Sequence, residues 1–266
     1  MGVDEISFGG FNGRDVALAS VLRYGDRNLM VYRTNLDTHA RRVEWIAMEL
    51  YRVGQQALPS LDPFHIRCLA RVHDDAEMIT GDVVLAKKLQ MSPQERDALR
   101  RMEQNAIETL ANRFPHTVHG FSYRSLLYEV LNKETLEVQL VILADKLDAY
   151  GEALHELYAG NEHFLTHSYG TASPHITYPS ILNGFPTKFP ALAPLFSVDH
   201  PLLKPAGVID GKLIVARGSP HTTESVRIST GIPHYDAWRE ITIQHGALDW
   251  LVQQIEFREV PVTPLS

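Results

Sequence analysis

Residues 136–158, LEVQLVILADKLDAYGEALHELY, carry the periodicity on which the fold rests. Leu140, Leu143, Leu147, Gly151, Leu154 and Tyr158 recur every three or four positions, the spacing that lines up one face of an α-helix. Gly160-Asn161 supplies its stop. Asp145 sits between Leu143 and Leu147. A carboxylate beside an apolar helical face is costly unless it is paired or bound to a metal, so this position asks for a partner.

Upstream, the helical pattern continues. Ser92-Pro-Gln-Glu95 is a capping box with proline at the first helical position, and it predicts a polar, charge-rich helix to about Asn112. Asp62-Pro63 is a second start signal of the same kind. The apolar run Ile66, Cys68, Leu69, Ala70 and Val72 follows, then turns acidic at His73-Asp74-Asp75. Over residues 39–53, Val43, Trp45, Ile46, Met48, Leu50 and Val53 alternate with Arg41, Arg42, Glu44 and Arg52 in a broad amphipathic stripe. Helical spacing over Val16–Tyr24 follows a Gly/Asn-rich start. Downstream the character changes: of the 15 prolines, 9 lie between Asn161 and Pro233, which predicts no long regular helix there. Val208–Val215 has an Asp-Gly turn between apolar runs and predicts a small hairpin; helical spacing returns over Tyr235–Phe257. The expected fold is mostly α, a helical core over residues 12–165 with an irregular, Pro-rich C-terminal extension over 166–266 packed on it.

The chain has 266 residues, 44% hydrophobic and 21% charged, with a net charge of −7. That balance is globular, and an acidic chain lacks the electrostatic footprint of a nucleic-acid coat. A locally basic pocket for a small phosphorylated ligand stays open. The single cysteine, Cys68, excludes an intramolecular disulfide and any multi-cysteine metal cluster; inside an apolar helical face it is a small hydrophobe. No apolar run approaches the ~18–20 residues that cross a bilayer, and the first residues lack a secretory pattern. A cytoplasmic protein with no membrane partner and no nucleic-acid polymer is expected.

Among 13 histidines, the His73-Asp74 pair stands out. Adjacent residues on a helix point about 100° apart, so both converge on one ion only at a helix terminus or a kink. Imidazole nitrogen and carboxylate oxygen suit a divalent ion of intermediate hardness. Further ligands are wanted from other helices, and His39, near a helix start, and Asp145 are the candidates.

A His, then His-Asp, then a distant Asp, all on helices, resembles the HD superfamily of metal-dependent phosphohydrolases. The strings His73-Asp-Asp-Ala-Glu-Met-Ile-Thr-Gly-Asp82 and Ala144-Asp-Lys-Leu-Asp-Ala-Tyr-Gly-Glu-Ala-Leu-His-Glu156 are similar to the branch of bacterial HD-domain 5′-deoxynucleotidases. The resemblance covers residues 12–160. It implies an HD-domain helical bundle in which His39, His73, Asp74 and Asp145 ligate one divalent metal ion, with Mn, Co, Mg, Zn, Fe and Ni all admitted. It also implies an acid/base role for Glu77 or Asp82. Arg23, Tyr24, Arg33, Asp82, Val83, Leu85, Lys88 and Asp148 are then the expected substrate contacts. Tyr24 stands where the deoxynucleotidases carry Trp, and its spacing to His39 is slightly longer.

The activity implied is release of phosphate from a nucleoside or deoxynucleoside monophosphate by attack of metal-bound water. Three alternatives stay open: an HD dNTP triphosphohydrolase; a cyclic-nucleotide phosphodiesterase, in which His116 and His119 would hold a second ion; and a non-catalytic nucleotide-binding HD module. The extension is long enough to cover a pocket mouth or to build a homodimer interface. For His65 a packing or surface role is expected, for Trp238 and Trp250 the core of the last helix, and for Glu152 and His155 the surface or the layer behind the site.

Overall fold

The computed structural model describes residues 6–24, 30, 32–158, 161, 164, 174–206, 212–220, 232–245 and 253–261. The chain divides into two compact units: Met1–Asp26, Arg33–Gln55 and Pro59–Ala144 form the first, and Arg27–Tyr32, Gln56–Leu58 and Asp145–Ser266 the second. The boundary expected near residue 165 falls outside the described residues. No described helix is long and apolar enough to cross a membrane.

The first unit is helical. In chain order it holds α1 (Arg14–Ser20), α2 (Leu36–Gly54), α3 (Pro63–Val72), α4 (Glu77–Thr80), α5 (Leu85–Gln90), α6 (Pro93–Arg113), the short strands β1 (Thr117–Val118) and β2 (Phe121–Ser122), α7 (Tyr123–Asn132) and the first part of α8 (Leu136–Tyr158). The start signals work as capping chemistry requires. Asp62 Oδ1 accepts from the N–H groups of Phe64 and His65 at 2.9 and 3.3 Å ahead of Pro63. Ser92 and Glu95 cap each other reciprocally, so orphan donors at both helix starts are satisfied. The amphipathic faces then bury Val43, Ile46, Ala47 and Leu50 from α2, Ile66, Leu69 and Val72 from α3, and Leu126 and Leu127 from α7. Arg67 Nε donates to Glu44 Oε1 at 2.7 Å, tying α3 to α2 inside this core.

One local expectation changes. Helical spacing over Val16–Tyr24 predicts a helix that the chain abandons at Ser20: Val16 faces outward, 76% exposed, and Leu22 pairs with Asn35 in a β-bridge. The apolar residues there serve no single buried face. His119 lies at the tip of the β1–β2 hairpin, where His119 and Gly120 both have positive φ (48° and 87°), the geometry of a type I′ turn. His119 Nε2 accepts from the Ser7 N–H at 2.9 Å.

The second unit holds the remainder of α8, α9 (Pro174–Lys188), two 3₁₀ segments (Pro190–Ser197 and Pro201–Leu203), β3 (Lys212–Pro220), α10 (Pro233–Gln244) and β4 (Gln253–Pro261). Contrary to the expectation from sequence, the prolines do not forbid a long helix: α9 runs 15 residues with Pro179 and Pro186 inside it. Burial of Tyr178, Leu182 and Phe185 offsets the lost backbone bonds. The first arm and turn of the hairpin expected over Val208–Val215, Asp210-Gly211 included, lie outside the described residues. Lys212–Val215 pair with Arg258–Pro261 in an antiparallel ribbon, a long-range contact that no local turn signal encodes. Residues 253–257, expected to be helical, belong to β4, and α10 stops at Gln244. Trp238 is buried as expected, whereas Trp250 is outside the described residues.

α8 exceeds its predicted stripe. Val138, Leu140, Val141, Leu143, Ala144, Leu147, Ala149, Tyr150, Ala153, Leu154 and Leu157 are all buried, so the helix is enclosed on nearly every side. Glu152 and His155, expected at the surface or in the layer behind the site, are 3% and 5% exposed, which excludes the surface reading.

His234, at the start of α10, is buried, and that burial pushes its pKa down to about 4 despite a backbone hydrogen bond at Lys204. The folded ring is therefore neutral where the unfolded one, near 6.5, already takes a proton. Its contribution is complete above pH 6.5 and is lost as pH falls from 6.5 to 4, by up to about 3 kcal/mol. In thermal melts between pH 7 and 4.5, His234→Gln should lose less stability than wild type; equal losses would refute the assignment.

Candidate metal centre and its surroundings

Three donor atoms of the first unit converge. His39, in the first turn of α2, is fully buried. His73 is the residue at which α3 ends, and Asp74 follows it. His39 Nε2 lies 3.2 Å from His73 Nε2, and Asp74 Oδ2 lies 3.4 and 3.2 Å from these two nitrogens. His73 Nδ1 donates to the Ala70 carbonyl at 2.7 Å. In the neutral ring this leaves the Nε2 lone pair aimed at the other two donors.

The residues fit a metal ion on this geometry. Bonds of about 2.0–2.2 Å to imidazole nitrogen and carboxylate oxygen place neighbouring donors roughly 3.0–3.5 Å apart in common coordination polyhedra. With the His73 proton on Nδ1, His73 Nε2 and the Asp74 carboxylate both turn acceptors toward His39 Nε2, an arrangement that a cation at this point would satisfy. Among the described residues this is the one group of three or more such side chains with ligand atoms this close. His116 and His119 form no second cluster among them.

The surroundings are strongly charged. The chain leaves α3 in a tight turn, with Asp75 N donating to Val72 O and Glu77 N to Asp74 O at 3.0 and 2.9 Å. Glu77 thus starts the separate helix α4 rather than continuing α3. Burial raises the Glu77 carboxyl well above the usual carboxylate range, and Asp74 and Asp82 add repulsion against the pull of Lys88 and Arg23. Asp82 is raised first by burial and further by Asp74, against Arg23, Lys88 and His39. Three carboxyl groups that repel one another are what a bound cation would relieve. Lys88 Nζ approaches Glu77 Oε1 at 3.7 Å.

Gly81 makes the turn into Asp82. Its φ of 73° and ψ of 162° lie in a region open essentially to glycine alone. The chain can therefore reverse from α4 into the extended link that carries Asp82 and Val83 to Leu85, the first residue of α5.

The other expected substrate residues are placed as follows. Arg23 is buried; its N–H donates to Thr34 O at 3.0 Å, and its guanidinium lies 5.7 Å from the Tyr24 ring centroid. Tyr24 adopts a φ of 51°, an uncommon conformation for a bulky side chain. Arg33, Val83, Leu85 and Lys88 are half-buried. Asp145 and Asp148 belong to the second unit. Asp145 Oδ2 is 2.7 Å from Lys146 Nζ. Asp148 is fully buried and its Oδ1 accepts from Trp238 Nε1 at 2.7 Å, a role that sequence did not suggest.

Sequence also gave no role to Asp75. Its carboxylate is gripped by Arg14 of α1 and by Tyr123 of α7. The acidic run at 73–75 was the available signal, but its partners lie 61 and 48 residues away.

A histidine of one helix set against a His-Asp pair at the end of the next is the arrangement that the resemblance in the sequence implies. A sequence profile of the YfbR-like 5′-deoxynucleotidases matches residues 16–177. The chain belongs to that family. It is 29% identical over 131 residues to a 5′-deoxynucleotidase of Vibrio atlanticus, 31% over 133 to one of Erwinia tasmaniensis, and 32% over 132 to one of Yersinia pestis. These matches span 49%, 50% and 49% of this chain and 66% of each relative, just under two thirds of the relatives' length. Among solved structures, an HD-domain phosphohydrolase from Listeria innocua aligns over 71% of this chain and 92% of its own, with a TM-score of 0.49 and 18% identity.

Proposed function

We propose that the chain is a metal-dependent 5′-nucleotidase that releases phosphate from nucleoside or deoxynucleoside monophosphates. The observation that carries this is the convergence of His39 Nε2, His73 Nε2 and Asp74 Oδ2 within 3.4 Å of one another, in a chain of the 5′-deoxynucleotidase family. Asp145 is proposed as the fourth ligand, supported by its Ala-Asp-Lys-Leu-Asp string. When bound, the divalent ion supplies Lewis acidity toward a phosphoryl oxygen and lowers the pKa of coordinated water.

The chain's own groups do the rest. Arg23 and Lys88 offset charge on the phosphate oxygens. Glu77, raised by burial and by Asp74, holds or takes up a proton beside the phosphorus, and Asp82 is the neighbouring carboxyl for the same duty. Tyr24, Arg33, Val83 and Leu85 line the nucleoside side. Asp148 is proposed as a further substrate contact beside its bond to Trp238. Cytoplasmic residence and a homodimer belong to the same proposal, in line with the single buried cysteine and the extension beyond the helical core.

A panel of nucleoside mono-, di- and triphosphates with Mn, Co, Mg and Zn tests it. Inorganic phosphate from monophosphates is expected. Release of triphosphate from dNTPs, or no product from any mononucleotide, would overturn it, and ligand affinity without turnover would favour the non-catalytic binder.

A further inference from the structure

The His73-Asp74 pair is followed by Asp75, a buried carboxylate held by side chains from two other helices. Arg14 Nε donates to Asp75 Oδ2 at 2.8 Å and Arg14 Nη2 to Asp75 Oδ1 at 2.6 Å, a bidentate pair. The same Nη2 donates to the carbonyl of Arg71, in the last turn of α3, at 2.5 Å. Tyr123 OH donates to Asp75 Oδ2 at 2.7 Å. The guanidinium packs 3.7 Å from the centroid of the Phe8 ring. Arg14, Asp75 and Tyr123 are 0%, 1% and 0% exposed.

A buried ion pair of this kind is commonly no more stabilising than a well-packed apolar replacement. What it does fix is direction. Arg14 holds the backbone at Arg71 and the side chain at Asp75, the two points that bracket the segment carrying His73 and Asp74. Tyr123 adds a third support from α7. With both ends of a short turn immobilised in a dry core, the Nε2 of His73 and the Oδ2 of Asp74 keep the directions that bring them near His39.

We infer that Arg14, Asp75 and Tyr123 form a positioning network that orients the His73-Asp74 ligand pair and thereby sets the affinity of the centre for a divalent ion. This rests on the metal-site assignment above. Tyr123→Phe removes one hydrogen bond from Asp75 while keeping the ring and the Arg14–Asp75 pair. Leu126→Ala is the control: it is buried on the same helix, α7, and belongs to no part of the network.

Co²⁺ titrated into the metal-free full chain, followed by calorimetry and by the visible ligand-field bands of the ion, reads the effect without any substrate. Tyr123→Phe is expected to weaken Co²⁺ binding about tenfold, the range for groups that support metal ligands, and to shift the bands. Leu126→Ala should lower the melting temperature and leave both readouts as in wild type. Arg14→Lys keeps the charge but loses the fork, and should weaken binding as well. Unchanged affinity and spectra in Tyr123→Phe would overturn the inference while leaving the metal site standing, as would an equal loss in Leu126→Ala. A wild-type chain that binds no Co²⁺ would overturn both.

Discussion

Asp74→Ala is expected to abolish binding of a divalent ion and to lower phosphate release by more than 100-fold, with little change in melting temperature. The substitution removes the anionic donor of the trio and leaves two neutral imidazole nitrogens 3.2 Å apart, a poorer match to a divalent cation. Loss of a supporting group costs about 10- to 100-fold in affinity or activity, and loss of a direct ligand should exceed that. The fold should tolerate the change. The Asp74 side chain retains 18% exposure, and its backbone bond to Glu77 N survives the substitution. Calorimetric titration with Mn²⁺, a phosphate-release assay on a mononucleotide and a thermal melt together check the prediction. Affinity within about threefold of wild type would remove Asp74 from the ligand set, and with it the metal centre. Asp145→Ala, run beside it, tests the fourth ligand: intact Mn²⁺ affinity in that variant would exclude Asp145 and leave the other three.

The parts of the molecule legible in sequence are those encoded by neighbours in the chain. The caps at Asp62 and Ser92, the stripe of α2 and the period of α8 are each set by residues within a few positions of one another, and each element forms where those signals place it. The His73-Asp74 pair, at the end of α3, was legible for the same reason. What escaped depends on distant partners. Nothing within ten residues of Lys212 says that its strand pairs with Arg258–Pro261. Nothing near Asp75 names Arg14 or Tyr123. Asp148 looked like a group one helical step from Asp145 and available to a ligand, yet a tryptophan 90 residues later claims one of its oxygens. A tertiary contact also overrode local helical spacing beyond Ser20, where Leu22 pairs with Asn35.

Gly151 shows how far such a contact can reverse a local rule, and its substitution should carry the largest stability effect in the second unit. Helix propensity alone says that Gly151→Ala, in the interior of α8, should gain about 1 kcal/mol. Packing says the opposite. A Cβ at this position would lie 2.2 Å from Trp238 Cγ and 2.4 Å from Cδ1 and Cδ2, closer than carbon atoms can approach. The indole cannot simply swing away. Its Nε1 donates to the buried Asp148 carboxylate at 2.7 Å, and its ring stacks on Tyr235 at 5.9 Å between centroids. Moving it strips a partner from a buried anion, which costs about 1–3 kcal/mol or more, in addition to about 1–3 kcal/mol of overpacking. After the propensity gain, the net loss should be about 1–5 kcal/mol. For a chain of this size that lowers the melting temperature by roughly 2–20 °C. Tryptophan emission should shift to the red as Trp238 leaves its dry contact. Gly184→Ala in α9 is the matched control, because a Cβ there meets nothing within 4 Å; it should be neutral or mildly stabilising. If the two variants move the melting temperature in the same direction, propensity governs both sites, and Gly151 is not the opening that admits Trp238 to Asp148.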